Sequence, residues 1–198
     1  MPGNALLSVY DKTGLDRLAS TFSKLQIRML GSGGTAEAIR KLGLTVADVS
    51  EYTGVKEMPG GLVKTLHPKI HAAILGDWSD PMQREYLQAT GVWPLDFVVV
   101  NLYPFQEVVK SDPKNLARAI DNIDIGGVAL IRAAGKGALL NKRVVPITNP
   151  GQYDGVLKAL TTKGYVGSEL RQSLAHEAFA VTAEYDLAIR DYLEKYAR

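Results

Sequence analysis

The chain contains no cysteine. That absence excludes a disulfide framework, thiol catalysis and Cys-rich zinc sites, and it fits a reducing compartment. Long apolar runs are missing too. Phe97–Val100 is far too short to span a bilayer, which takes about 20 residues. The N-terminal stretch Met1-Pro2-Gly3-Asn4 lacks the basic region and apolar segment of a signal peptide. Neither charge sign dominates. Lys and Arg total 23 against 21 Asp and Glu, a formal net charge of +2, which points to neither a nucleic-acid nor a membrane partner. Internal repeats and low-complexity linkers are also absent. These exclusions leave a cytoplasmic globular protein as the expectation.

What is present is ordinary in bulk and informative in order. The chain has 198 residues, 46% apolar and 22% charged, enough for one large domain. Ala5–Val9 reads as a buried strand. Leu15, Leu18, Phe22 and Leu25 then recur at helical spacing. Ile27–Leu30 reads as a second strand and Gly31-Ser32-Gly33-Gly34-Thr35 as a turn. A helix with Ala36, Ile39 and Leu42 on one face follows and stops at Gly43, and Thr45–Val49 reads as a third strand. This β-α-β-α-β order implies a mainly parallel sheet between helical layers, a three-layer αβα architecture.

Beyond it, Tyr52–His71 is punctuated by Gly and Pro and long enough to be a functional loop. Pro81–Thr90 reads as a helix, Phe97–Asn101 as a buried strand, and Leu116–Ile120 and Val128–Ala134 as helices. Val144–Ile147 reads as a last strand, with a helix near Gln152–Leu160. From Ser168 to Tyr196 there is no Gly or Pro, and Leu170, Leu174, Ala178, Val181, Tyr185, Ile189 and Leu193 mark one long amphipathic helix. That helix packs either on its own sheet or on a second copy. The economical division is a single domain over 1–198, with an α/β core over about 1–150 and a helical C-terminal extension over about 151–198.

Ligands of open parallel sheets bind beyond the carboxyl ends of the strands. Three segments leave strands there: Tyr10-Asp11-Lys12-Thr13-Gly14, Gly31-Ser32-Gly33-Gly34-Thr35 and Asn101-Leu102-Tyr103-Pro104-Phe105. The glycine-rich one suits a phosphate. Glycines admit a close backbone approach, Ser32 and Thr35 offer hydroxyls, and the following helix offers unpaired N–H groups, with Lys12 as countercharge. A plain turn with a Thr cap is the alternative. Gly31, Gly33 and Ala36 also match the dinucleotide pattern G-x-G-x-x-G/A, with Glu51 about twenty residues on, although the match follows the second strand.

Lys64-Thr65-Leu66-His67-Pro68-Lys69-Ile70-His71 concentrates titratable groups. His67 and His71 have a helical metal-pair spacing, but the Glu of H-E-x-x-H is missing and no third ligand suggests itself. Contact of Lys64, Thr65 and His67 with an anion, or a part in holding the loop, is the better reading. Asp124-Ile125-Gly126-Gly127 would let a helix start close to a ligand. Arg132 and Lys136 share a face of that helix, among small residues, where a lysine can exchange protons.

Taken together, Ser8–Gly14, Ser32–Thr35, Val63–Pro68, Asn101–Phe105, Ile123–Gly127 and Arg132–Lys136 resemble, in order, the motifs of the IMP cyclohydrolases. These form the N-terminal domain of the bifunctional purine-biosynthesis enzyme AICAR transformylase/IMP cyclohydrolase. The likeness covers almost the whole chain; the formyltransferase domain of that family is absent from it. The resemblance implies a methylglyoxal-synthase-like fold, a homodimer, no cofactor and no metal. The implied reaction is the dehydrating ring closure of the nucleotide FAICAR to IMP. By resemblance Lys136 donates or accepts the proton, Lys64 stabilises developing negative charge, Asp124 binds the carboxamide or orients a lysine, and Tyr103 positions the formyl group. Lys12, Ser32, Gly33, Gly34 and Thr35 hold the phosphate and ribose. Tyr10, Asp11, Thr65, His67, Asn101, Ile125, Gly126 and Gly127 complete the implied substrate contacts. The chain departs from the family at Leu62, usually Arg, at Tyr10, usually a small hydroxyl residue, and at Gly137-Ala138, usually Asn-His. Two further readings share the architecture: a non-catalytic effector-binding module, and methylglyoxal synthase.

Overall fold

The computed structural model describes residues 3–56, 58 and 63–196. Leu62 lies outside the described residues. Five parallel strands form one sheet: β1 (Asn4–Val9), β2 (Arg28–Gly31), β3 (Ala47–Asp48), β4 (Phe97–Asn101) and β5 (Val145–Ile147). Their order is β3-β2-β1-β4-β5, so the chain runs outward to one edge, then returns to β1 and builds toward the other. Register is set at β1, where Leu7 lies opposite both Gly31 of β2 and Val99 of β4. The break in strand order falls between β1 and β4, and a crevice opens beyond the carboxyl ends of strands at such a point.

Side chains alternate across β1, as a pleated strand requires. Ala5, Leu7 and Val9 face one layer and Leu6 the other. The first layer holds α1 (Leu15–Lys24), α2 (Gly33–Lys41) and α9 (Tyr153–Lys163). The second holds α3 (Val49–Thr53), α4 (Pro68–Leu75), α5 (Pro81–Ala89) and α8 (Gly126–Leu140). Leu6, Leu7, Leu18 and Leu30 are fully buried, and each such side chain contributes about 2 kcal/mol of burial free energy.

Two short helices, α6 (Phe105–Ser111) and α7 (Leu116–Asp121), lie with the last helix, α10 (Ser168–Leu193), around a small aromatic cluster. Leu174 of α10 joins the first layer, Ala178 the second, and Tyr185 and Tyr192 the aromatic cluster. The long helix therefore packs on its own chain and covers the β5 edge, which would otherwise expose a row of unpaired backbone groups. No helix among the described residues is long and apolar enough to cross a membrane.

Several elements differ from the sequence expectation. The third strand shortens from Thr45–Val49 to Ala47–Asp48, because Val49 already begins α3 under a capping box made by Asp48 and Glu51. The Tyr52–His71 segment is no uniform loop: it contains the end of α3 and the start of α4. Helix α8 runs well past the expected Val128–Ala134 and includes Gly126, Gly127, Gly135 and Gly137. Close packing explains two of these glycines. A Cβ at Gly135 would meet the Phe179 ring at 3.0 Å, and one at Gly137 would meet the Ile74 carbonyl oxygen at 3.0 Å.

Candidate active site

A cavity of about 370 Å3 opens beyond the carboxyl ends of β1, β2 and β4, at the switch point. Its size suits a small ligand. Of the residues singled out from the sequence, Tyr10, Lys12, Ser32, Gly34, Thr35, Lys64, Thr65, Asn101, Tyr103, Asp124, Ile125, Gly126 and Gly127 line it.

The glycine-rich segment is not a free turn. Gly31 ends β2, and Gly33, Gly34 and Thr35 form the first turn of α2, with Ser32 extended as its cap. A Cβ at Gly31 would lie 2.9 Å from Ala36, so helix and strand are in direct contact. Gly33 has φ +40, and a Cβ there would sit 3.0 Å from the Lys64 Nζ. The Lys64 ammonium therefore lies against the start of α2, where first-turn amide protons already create positive potential. Nothing in the Ser32 side chain caps that end; its Oγ donates instead to the Ser8 Oγ at 2.7 Å. An anion placed there would satisfy both the ammonium and the helix terminus.

Two expected ligand groups turn out to serve the backbone. The Thr35 Oγ1 accepts from the Val9 N–H at 3.0 Å and donates to the Val9 carbonyl at 3.1 Å, tying α2 to β1. The Asn101 Oδ1 accepts from the Tyr10 and Asp11 N–H groups at 2.7 and 2.9 Å, while its Nδ2 donates to the Asp11 carbonyl. Both residues border the cavity and fix its walls. The Lys12 ammonium folds back toward the Tyr10 carbonyl at 3.3 Å. The ring of Tyr10 stands 5.3 Å from that of Tyr103.

Lys64 enters the cavity from a strained turn. Val63 has φ +53, an outlier for a β-branched residue that costs about 1–3 kcal/mol. The Leu66 N–H donates to the Val63 carbonyl at 3.0 Å and closes that turn. His71 braces it from α4: its half-buried ring hydrogen-bonds the Thr65 backbone, and burial holds its pKa below the ordinary value despite that bond.

Asp124 faces Lys64 across the cavity, at the start of α8. Its Oδ1 accepts from the Gly127 N–H at 2.7 Å. Burial pushes the carboxyl pKa up, and the Gly127 and Tyr103 backbone bonds and the Lys64 charge only partly oppose it. A Cβ at Gly127 would fall 2.5 Å from the Asp124 Oδ2, and one at Gly126 would fall 2.8 Å from the Thr65 Oγ1. Both glycines are there because the carboxylate and the hydroxyl occupy the space. Backbone support for this corner comes from a distance: the Tyr185 hydroxyl accepts from the Asp124 N–H at 2.8 Å.

Gly33 stands behind the Lys64 Nζ without lining the cavity, and three further expected residues are not gathered in. His67 caps α4, its Nδ1 accepting from the Lys69 N–H at 3.1 Å, because the extended residue before Pro68 is placed to cap the helix. The Asp11 carboxylate accepts from the Thr13 side chain and from the Thr13 N–H at 2.9 Å, and these bonds, the side-chain one foremost, hold its pKa below the ordinary value. Lys136 is exposed almost three turns along α8, lining a separate groove with Arg132, Leu139, Leu140 and Phe179. At that distance along the axis, about 15 Å from Gly126, its side chain cannot return to the helix start within one chain. Sequence reasoning also missed Val63, His71 and Tyr185. Their roles were hidden: Val63 read only as the edge of a motif, His71 only as half of a metal-pair spacing, and Tyr185 only as one member of an apolar stripe. Among the described residues, no group of three or more His, Asp or Glu is placed to hold a metal ion. The dinucleotide alternative loses its acidic partner, because the Glu51 carboxylate accepts from the Asp48 N–H as part of the α3 cap.

These features define a three-layer α/β protein with a polar cavity at its switch point, framed by two helix N-termini. The chain belongs to the MGS-like domain family, which matches residues 14–129. Residues 138–198 match the family described as AICARFT/IMPCHase bienzyme. A bifunctional purine biosynthesis protein PurH from Synechocystis is 45% identical over 189 residues, covering 95% of this chain and 36% of that protein. A protein of the same description from Mesorhizobium japonicum is 46% identical over 186 residues, covering 93% and 34%. The chain thus spans about a third of the length of the curated relatives it matches. Among solved structures, the crystal structure of ForH superposes with a TM-score of 0.83 at 29% identity, covering 98% of this chain and 100% of that one.

Proposed function

We propose that the chain is an IMP cyclohydrolase that closes FAICAR to IMP in purine biosynthesis. The observation that carries the reading is the meeting of Lys64 and Asp124 in one cavity, beside the start of α2. In the reaction the carboxamide nitrogen bonds to the formyl carbon, and the formyl oxygen leaves as water. That water takes one hydrogen from the carboxamide and one from the formylamino nitrogen. Loss of water requires no electron acceptor and no group carrier. Both reacting groups sit on one ring, so the enzyme's tasks are alignment, charge stabilisation and proton movement.

The nucleotide phosphate binds at Ser32, Gly33 and Gly34, where Lys12 adds positive charge. The base reaches toward Tyr103, Asp124 and the α8 start, with Thr65, Ile125, Gly126 and Gly127 around it. The Lys64 ammonium stabilises the developing oxyanion, and the Asp124 carboxyl hydrogen-bonds the carboxamide. Tyr103 orients the formyl group. Lys136 takes part in proton transfer, and it does so across a homodimer. Its groove carries the exposed apolar side chains Leu139 and Leu140 and the Phe179 ring. A second copy covers this face and receives Lys136 into its own cavity.

The test is to incubate the purified chain with FAICAR in the presence of a chelator and follow IMP by chromatography. Rapid, chelator-insensitive IMP formation that Lys64→Ala lowers by about 100-fold or more supports the reading. Tight IMP binding without turnover would overturn it in favour of an effector-binding module. Turnover of a triose phosphate instead would assign the chain to methylglyoxal synthesis.

A further inference from the structure

The Tyr185 hydroxyl holds both ends of the segment that carries Asp124. It accepts from the Asp124 N–H at 2.8 Å and donates to the Asn122 carbonyl at 3.1 Å. The residue belongs to α10, sixty-one positions away from Asp124 in the chain. Its ring is buried and meets Phe105 edge-on, with centroids 6.1 Å apart. Phe105 in turn follows Tyr103-Pro104 directly, so this one side chain bonds the Asp124 corner of the cavity and packs on the residue two positions beyond Tyr103.

The polar part of this arrangement is unnecessary for packing. Phenylalanine would fill the same space, as Phe105 does within the cluster. What the hydroxyl adds is a fixed path for residues 122–124, a segment between α7 and α8 with no strand to hold it. That path decides where the Asp124 carboxylate stands relative to Lys64 and to the Tyr103 backbone N–H that it accepts from.

We propose that Tyr185 is a positioning residue for Asp124: its two hydrogen bonds set the carboxylate within the cavity, and α10 is thereby part of the catalytic apparatus. The inference rests on the cyclohydrolase reading for its kinetic consequence and on the geometry alone for its structural one. It acts through Asp124 and does not touch substrate.

The experiment compares Tyr185→Phe with Tyr192→Phe in the full chain. Tyr192 lies in the same aromatic cluster, but its hydroxyl donates to the Pro113 carbonyl at 3.2 Å, away from the cavity. For each variant, kcat and KM for FAICAR are measured, together with amide hydrogen exchange at Asp124. Tyr185→Phe is expected to lower kcat by up to about 100-fold, as small misplacements of reacting groups do, with KM nearly unchanged. Its Asp124 amide exchanges faster, while Tyr192→Phe matches the parent in both respects. Parental kcat and parental exchange in Tyr185→Phe would overturn the proposal. Equal kcat losses in both variants would also overturn it, reducing the hydroxyl to a general stability contact. If the parent chain itself does not turn FAICAR over, the cyclohydrolase reading fails separately. The exchange comparison then decides alone, and unchanged protection of the Asp124 amide sinks the positioning role.

Discussion

Asp124 joins an architectural task to the one the proposed reaction gives it. Its carboxylate caps the start of α8, yet burial raises its pKa above the usual carboxylate value. A group whose pKa rises on folding contributes stability that is complete below its unfolded pKa and is lost as pH climbs through the folded one. The native protein therefore bears a cost at neutral pH for keeping this group ionisable. Asp124→Asn retains an oxygen for the Gly127 N–H and sheds that cost. Its thermal midpoint should equal or exceed the parent's at neutral pH, and the difference should close as pH falls below the carboxylate range. Turnover should fall about 100-fold or more. Melting curves across pH, paired with the IMP assay, check both halves. The same duality explains what residue-level reading could not resolve. Thr35, Asn101 and His67 stand in ligand-like motifs, but hydroxyl, amide and imidazole groups satisfy backbone as readily as substrate. Only the bond partners reveal which use prevails.

Among the elements, β1, β2 and β4 and the helices α1, α2 and α5 were legible, because their periodicity is strong and their ends carry Gly, Pro or a capping residue. Helix α6 was not, since Tyr103-Pro104-Phe105 reads as a strand exit and the helix beyond has barely two turns. The ends of α8 were hidden for a different reason. Glycine disfavours a helix by about 1 kcal/mol relative to alanine, so local propensity argued for stopping at Ala134. Packing against Phe179 and the Ile74 carbonyl overrode it. The start of α2 gives the sharpest test at this scale. Gly33→Ala would place a methyl group 3.0 Å from the Lys64 Nζ and force a positive φ on alanine. Strain of about 1–2 kcal/mol should lower the thermal midpoint modestly. Displacement of the ammonium should weaken IMP binding by more than tenfold, measured by calorimetry. Gly34→Ala, where nothing lies within 4 Å of the added methyl, should keep its stability and so confine the thermal effect to Gly33.

For the whole molecule, the parallel sheet and a ligand site at its carboxyl edge followed from the alternation of strands and helices, but the strand order and the separation of Lys136 from the cavity did not. A linear motif conveys order along the chain and says nothing about which copy a residue serves. The dimer proposal makes a sharp demand. In an isologous pair, Lys64→Ala and Lys136→Ala subunits assemble so that one of the two cavities in each mixed dimer is intact. Two preparations that are each inactive should regain about a quarter of parental activity when exchanged in equal amounts, since half the dimers are mixed. No recovery, with subunit exchange confirmed by mass, would place both lysines in one chain's service or remove Lys136 from the reaction.

The reach of α10 across the fold also bears on how the protein comes into being. On the ribosome the walls of the cavity emerge in sequence, first residues 8–12, then 32–35, 63–65 and 101–103, and the Asp124 corner after them. That corner remains unpinned until residue 185 has been made and its helix has docked. The Lys64 wall of the cavity can therefore form long before the Asp124 wall is fixed, and the finished shape of the cavity waits on a residue sixty-one positions further along the chain.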